Sequence, residues 1–366
     1  MESDSLLYQI ALTLIPGVGN INGKNLVAYC GGVEAIFSEN RNHLLKIPGI
    51  GQQTVDNILN HNVLDRATEE IEFVRKYSIR TAFYLDSDYP LRLKQCADSP
   101  LIIYYKGNVN LNAEKIIGIV GTRSATEYGK ESCIKLVEGL AELNPLIVSG
   151  LAYGIDTYAH KASLENELST IGVLGHGLDR IYPFANRNLA ARMLEKGGLL
   201  TEYMSGTKPD AINFPSRNRI IAGLCDAIIV VEAAKTGGAL ITADIANSYN
   251  RDVFSIPGRI GDLYSEGCNF LIKTNRAALI QSPLDIITFM NWDDGHFRKK
   301  PAQRELFINF TPVESQIVEA LREGNLEIDT LLLKTGILPS KAVEALLNLE
   351  IEGIINCLPG KVYHLY

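Results

Sequence analysis

A chain of 366 residues is too long for one ordinary core and points to two or three domains. Its 46% hydrophobic and 21% charged residues exclude a disordered or fibrous protein. A net charge of −7 argues against a uniformly basic surface, and six scattered cysteines without a C-x-x-C pair argue against a disulfide framework or a zinc site.

The N-terminal MESDSLLYQI has no basic stretch ahead of an apolar run, and no segment approaches the ~18 apolar residues of a membrane span. A reducing cytoplasm, with no membrane association, is the expectation. The charge is unevenly spread. Residues 113–290 carry 17 basic and 19 acidic side chains, which leaves room for a local basic groove, whereas 307–366 carry 4 and 8.

Residues 1–85 read as a small helical domain of the helix-hairpin-helix kind. Two phrases, IPGVGN at 15–20 and IPGIGQQTVDNIL at 47–59, each place a glycine turn ahead of a helix. One reading gives these hairpins DNA-backbone contacts, and the other only mutual packing. The net acidity of the segment favours packing.

From Lys115 onward β and α signals alternate. Short apolar runs at 116–121, 146–150, 170–175, 227–233 and 252–258 are separated by helical stretches at 130–143, 154–167, 186–197, 217–226 and 237–250. This pattern predicts an α/β core over 86–290, a doubly wound, Rossmann-like parallel sheet covered on both faces. Several strands end in glycine, at the sheet edge where open α/β folds bind ligands. A polar passage at 291–306 reads as a linker. Residues 307–366 give three helices and a short hairpin around Pro359-Gly360, the layout of a winged helix.

Five loops carry candidate ligand chemistry. GTRSATEYG (121–129) is neither G-x-G-x-x-G nor a Walker loop, but it places Arg123 between a strand end and a helix start. SGLAYGIDTYAH (149–160) contributes Gly150. Its Asp156 and His160, four apart, read better as a helix-start carboxylate and a packed histidine than as a metal or acid/base pair. LGHGLDRIYPFANRNL (174–189) brings Asp179, Tyr182, Pro183 and Asn186, the last as an N-cap.

Gly237 and Gly238 open a helix and let backbone amides approach a phosphate. FPSRNRIIAG (214–223) sets Phe214, Arg217, Asn218 and Arg219 ahead of an apolar helix, offering guanidinium forks for phosphate and a ring for a base. Glu202 and Glu232 end strand-like runs, either as catalytic acids or as braces for neighbouring loops.

In this order VGTRSATEYG, SGLAYGIDTYAH, TIGVLGHGLDRIYPFANRNL, FPSRNRIIAGL, VVEAAKTGGALITA and VFSIPG…EGCNFLI are very specific. The chain resembles the DprA/Smf family of DNA-processing proteins over nearly its whole length. The resemblance implies an extended Rossmann core that binds single-stranded DNA, with a SAM-like N-terminal and a winged-helix C-terminal domain. It also implies homodimerisation through the core and loading of the RecA recombinase in natural transformation, without cofactor, metal or chemical step. Arg123, Gly150, Phe214, Arg217, Asn218, Arg219, Gly237 and Gly238 would form the DNA-binding pocket. One departure stands out: Thr236-Gly237-Gly238 occupies a place where the family often has Ser-Gly-Ser. The alternative from another class is a phosphoribohydrolase-like enzyme that uses Glu202 or Glu232.

Overall fold

The computed structural model describes residues 2–293, 310–322, 324–351, 354–358 and 361–365. The chain divides into two compact units, Met1–Asp293 and Asp294–Tyr366. Most of the passage read as a linker, from 294 on, lies outside the described residues, as does the Pro359-Gly360 turn.

The larger unit is organised by one nine-stranded sheet. Its strands are β1 (Arg80–Phe83), β2 (Ile102–Gly107), β3 (Ile116–Val120), β4 (Leu146–Ser149), β5 (Thr170–Val173), β6 (Gly197–Thr201), β7 (Ala227–Val230), β8 (Asp252–Ser255) and β9 (Ala278–Leu279). Their order is β1-β2-β6-β5-β4-β3-β7-β8-β9. The β1–β2 and β2–β6 pairs are antiparallel and all others are parallel.

The central strands IIGIV, LIVS and AIIV are buried at every position, which is why they read as continuous apolar runs rather than alternating ones. From β3 the chain winds one way through β4 to β6, then returns and winds the other way through β7 to β9. The switch point therefore lies between β3 and β7, in register from Ile117↔Ala227 to Val120↔Val230.

The N-terminal helices have an apolar cluster of their own, with Ile10, Leu26, Leu44 and Val55 fully buried. Their two glycine turns pack reciprocally. Asn57 Nδ2 donates to Pro16 O at 2.9 Å and Asn25 Nδ2 to Pro48 O at 3.2 Å. Gly17 and Gly49, at φ +86° and +82°, lie against Thr54 and Asn22 of the opposite hairpin. Strand β1, inside the segment read as all-helical, belongs to the large sheet.

In the smaller unit, helices Pro312–Arg322, Ile328–Thr335 and Pro339–Ile351 pack around Ile317, Leu331 and Leu349. A three-stranded sheet ordered β10-β12-β11 completes it, with β10 at Leu326–Glu327, β11 at Ile355–Leu358 and β12 at Val362–Leu365. This is a winged helix.

Candidate nucleic-acid interface

A cavity of about 790 Å³ opens at the carboxyl ends of β3 and β7, where the winding direction reverses. Its lining includes Arg123, Asp156, Tyr182, Phe214, Arg217 and Gly238. Thr126 caps the helix Glu127–Leu140 by accepting from Gly129 N. Glu232 in turn braces Thr126, accepting its N–H at 2.9 Å and its hydroxyl. This fixes the loop that carries Arg123. Exposed Arg123 lies 5.4 Å above the Phe214 ring, a cation–π distance, and has no hydrogen bond or ion pair to a protein group among the described residues. Phe214 also meets Tyr182 at 5.9 Å between ring centroids. A cation and two rings thus line one wall.

Arg217 forms the floor. It is 4% exposed, and its Nη1 donates to Gly150 O at 2.6 Å and to Val173 O. Burial lowers its pKa to about 10, so it remains charged at neutral pH. Its Nε is buried without a partner, an expensive state for a charged donor unless an anion reaches it. Asp156 faces it from the first turn of the helix Ile155–Glu165, which follows β4. Burial raises the pKa of Asp156, and the charge of Arg217 opposes that shift.

Gly237, at φ +154°, and Gly238 open the helix Gly238–Ser248 with no side-chain cap and no neighbour crowding Gly237. The first-turn N–H groups of this helix have no intrahelical acceptor. Asn218 Nδ2 holds Gly238 O at 3.2 Å and so ties this helix start to the Phe214 segment.

Three expectations change. The helix runs Asn213–Leu224, so it starts four residues before the 217–226 stretch, and Phe214 and Pro215 sit in its first turn. Arg219 does not reach the cavity: it pairs with Glu202 and donates to Asp98 O at 2.9 Å. Residues two apart on a helix point in nearly opposite directions, a signal already present in the R-N-R spacing.

Gly150 also plays a different part. Its amide donates to Asp156 Oδ2 at 3.2 Å, and a Cβ there would lie 2.6 Å from the Arg217 guanidinium. Glycine is required here to admit Arg217, and its N–H is already committed.

The remaining candidates are braces. His160 Nδ1 meets Thr170 Oγ1 at 2.7 Å, and burial drives its pKa down to about 3. Asp156 accepts from the Gly150 and Ala152 amides. Asn186 occupies the N-cap position of Arg187–Lys196 but makes no cap bond. Its Nδ2 reaches back to Leu151 O and Thr157 Oγ1, both at 2.9 Å.

Fold and cavity together define a Rossmann-type protein with an arginine-bearing cavity at its switch point and an appended winged helix. The family model for DNA recombination-mediator protein A matches residues 80–291, and the DprA winged helix domain matches 298–361. Protein Smf of Synechocystis sp. is 32% identical over 399 residues, 99% of each chain. DNA processing protein DprA of Streptococcus pneumoniae is 45% identical over 203 residues, 56% of this chain and 71% of that one.

Among solved structures, DprA of S. pneumoniae aligns at 34% identity with a TM-score of 0.66, over 77% of this chain and 97% of that one. DprA of Helicobacter pylori, described for its single-stranded DNA binding mode, aligns at 29% with a TM-score of 0.54, over 59% and 96%. The chain belongs to the DprA/Smf family of DNA-processing proteins. Among the described residues no helix is long and apolar enough to cross a membrane.

Proposed function

We propose that the chain binds single-stranded DNA in the switch-point cavity, protects it, and passes it to a RecA-type recombinase during natural transformation or homologous recombination. The observation that carries this reading is the combination of a buried guanidinium, Arg217, whose Nε lacks a partner, with a surface guanidinium, Arg123, that has no hydrogen bond or ion pair among the described residues and lies 5.4 Å from the Phe214 ring. Phosphate suits the two cations, and the Phe214–Tyr182 wall suits an unstacked base. Asn218, Gly237 and Gly238 complete the proposed contacts. Gly150 acts through Arg217. The relative from H. pylori, described for single-stranded DNA binding, supports the choice of ligand.

Holding without a chemical step fits the side chains better than phosphoribohydrolase-like catalysis. Each candidate acid or base is already engaged: Glu232 with Thr126, Glu202 with Arg219, Asp156 with two backbone amides and His160 with Thr170. In the proposed division of labour residues 1–85 form a helical accessory domain, 86–290 the strand-binding core, 291–306 a linker and 307–366 a winged helix.

We assign that last module to protein contact. Its helix Pro339–Ile351 exposes Val343 and Leu347, and its residues carry 4 basic against 8 acidic side chains, poor footing on duplex DNA. Homodimer pairing through the core, in a cytoplasmic setting, is supported by exposed Phe270, Leu279 and Phe289 on the last core elements.

A salt-titrated comparison of single-stranded DNA, duplex DNA and nucleoside monophosphates tests the reading. Tight, steeply salt-dependent binding of the single strand alone is expected. Release of free base from a monophosphate would favour the enzyme instead.

A further inference from the structure

Two sets of polar contacts tie the N-terminal helices to segments that lead to the cavity. On the helix Leu64–Lys76, Glu70 is 1% exposed, although most of its neighbours on that helix are polar. Glu70 Oε1 accepts Ser205 N at 2.9 Å, and Oε2 accepts the Ser205 hydroxyl and Arg66 Nη2, the latter at 2.8 Å. Arg66 Nη2 also donates to Ser205 O at 2.5 Å, so one serine is gripped at its N–H, its hydroxyl and its carbonyl.

Ser205 lies in the loop between β6 and the helix Asn213–Leu224, which supplies Pro209 and Ala211 to the cavity and leads into Phe214 in the first turn of that helix. The loop bearing Tyr182 leans on the same segment. Gly206 N donates to Asp179 Oδ1 at 3.0 Å and Gly177 N to Thr207 O at 3.2 Å.

A second tie runs through the helix Asn20–Cys30. Lys24 Nζ donates to Ala97 O at 3.0 Å and to Ser99 Oγ at 2.6 Å, and Asn20 Oδ1 accepts Leu101 N at 3.1 Å. The same short segment offers Asp98 O to Arg219, and Asn20 hydrogen-bonds Glu202, the ion-pair partner of Arg219. Arg219 therefore fastens the helix that carries Phe214 and Arg217 to the place where the N-terminal helices dock. Apolar packing alone would join two domains without charge. A buried carboxylate is retained only at a desolvation cost that its three partners must offset.

We propose that the N-terminal helices act as a clamp that sets the Phe214–Tyr182 wall, with Glu70 and Arg219 as positioning residues for strand binding. This rests on the strand-binding reading above. The clamp acts on the aromatic wall and leaves the phosphate contacts of Arg123 unchanged.

The test uses the full chain and an oligodeoxythymidylate carrying one 2-aminopurine, whose fluorescence is quenched on stacking. Glu70→Ala is expected to weaken binding about tenfold, the worth of one base stack. It should also abolish the quench, with the salt dependence unchanged. Glu70→Gln keeps an acceptor for the Ser205 amide and should recover most of both.

If Glu70→Ala fails to fold, Ser205→Ala removes only the hydroxyl contacts and leaves no buried charge unmatched. A smaller loss, with partial quench, is then expected. Wild-type affinity and quench in the folded variants would overturn the clamp. Should the wild-type chain not bind the oligonucleotide, the strand-binding reading itself falls. Hydrogen exchange over 203–214 then decides the clamp: faster exchange in Glu70→Ala or Ser205→Ala supports it, and unchanged exchange overturns it.

Discussion

Replacing Arg123 by Ala separates binding from folding better than any other change to the cavity. Its only described protein contact is with the Phe214 ring, at 5.4 Å. An exposed cation–π pair is worth about 0.5–1 kcal/mol, so the melting temperature should fall by only a few degrees. Its loss from a strand complex is larger. A charge-assisted hydrogen bond to phosphate contributes about 1.5–3 kcal/mol, and partial solvent screening at this exposed site brings that to roughly 1–2 kcal/mol. The affinity should drop about five- to thirtyfold.

One fewer neutralised phosphate should also flatten the plot of log K against log salt by about 0.7. Arg123→Lys keeps the charge and should keep the slope while losing part of the affinity, because an ammonium lacks the planar two-pronged donor that matches a phosphate. Fluorescence anisotropy of a labelled single strand across a salt series measures both quantities. Unchanged affinity and slope in a folded Arg123→Ala protein would refute the reasoning. Arg217→Ala is a poorer probe, because it also removes bonds to Gly150 O and Val173 O and would destabilise the unit itself.

Other outcomes follow from the same geometry. Phe214→Leu should weaken strand binding by about 1–3 kcal/mol at every salt concentration and leave the slope alone, since stacking releases no counterions. Gly129→Ala would place a Cβ 2.0 Å from the Glu232 carboxylate and push it off Thr126. A loss of about 2–4 kcal/mol in urea denaturation is expected. His160, held down to about 3 in the folded state, contributes stability above its unfolded pKa near 6.5. That stability is lost as pH falls from about 6.5 toward 3, at up to ~1.4 kcal/mol per pH unit. The stability of His160→Gln should therefore fall less steeply between pH 6 and 4, read from urea midpoints.

The parallel half of the sheet was legible because strands buried on both faces leave unbroken apolar runs, as in IIGIV and AIIV. Strand β2 was missed, although Leu101–Tyr105 forms such a run between Pro100 and Gly107. Its antiparallel place beside β6 lacks the strand–helix alternation that revealed the others. The chemistry of the site, two cations and a ring at strand ends, could be read from residue types. Depth could not: nothing in SGLAYG says that the missing side chain of Gly150 makes room for Arg217. The opposite facing of Arg217 and Arg219 was readable from their two-residue spacing on a helix, and the start at Asn213 adds that Phe214 is helical too.

Photo-crosslinking of a 4-thiothymidine-substituted single strand to the full chain, followed by peptide mapping, tests the central claim most directly. Crosslinks should fall on the peptides that contain Tyr182 and Phe214. They should disappear in Phe214→Leu at high salt before they disappear in the wild type. Crosslinks confined to the glycine hairpins near Gly17 and Gly49, or to the winged-helix unit, with none at the switch-point cavity, would contradict it.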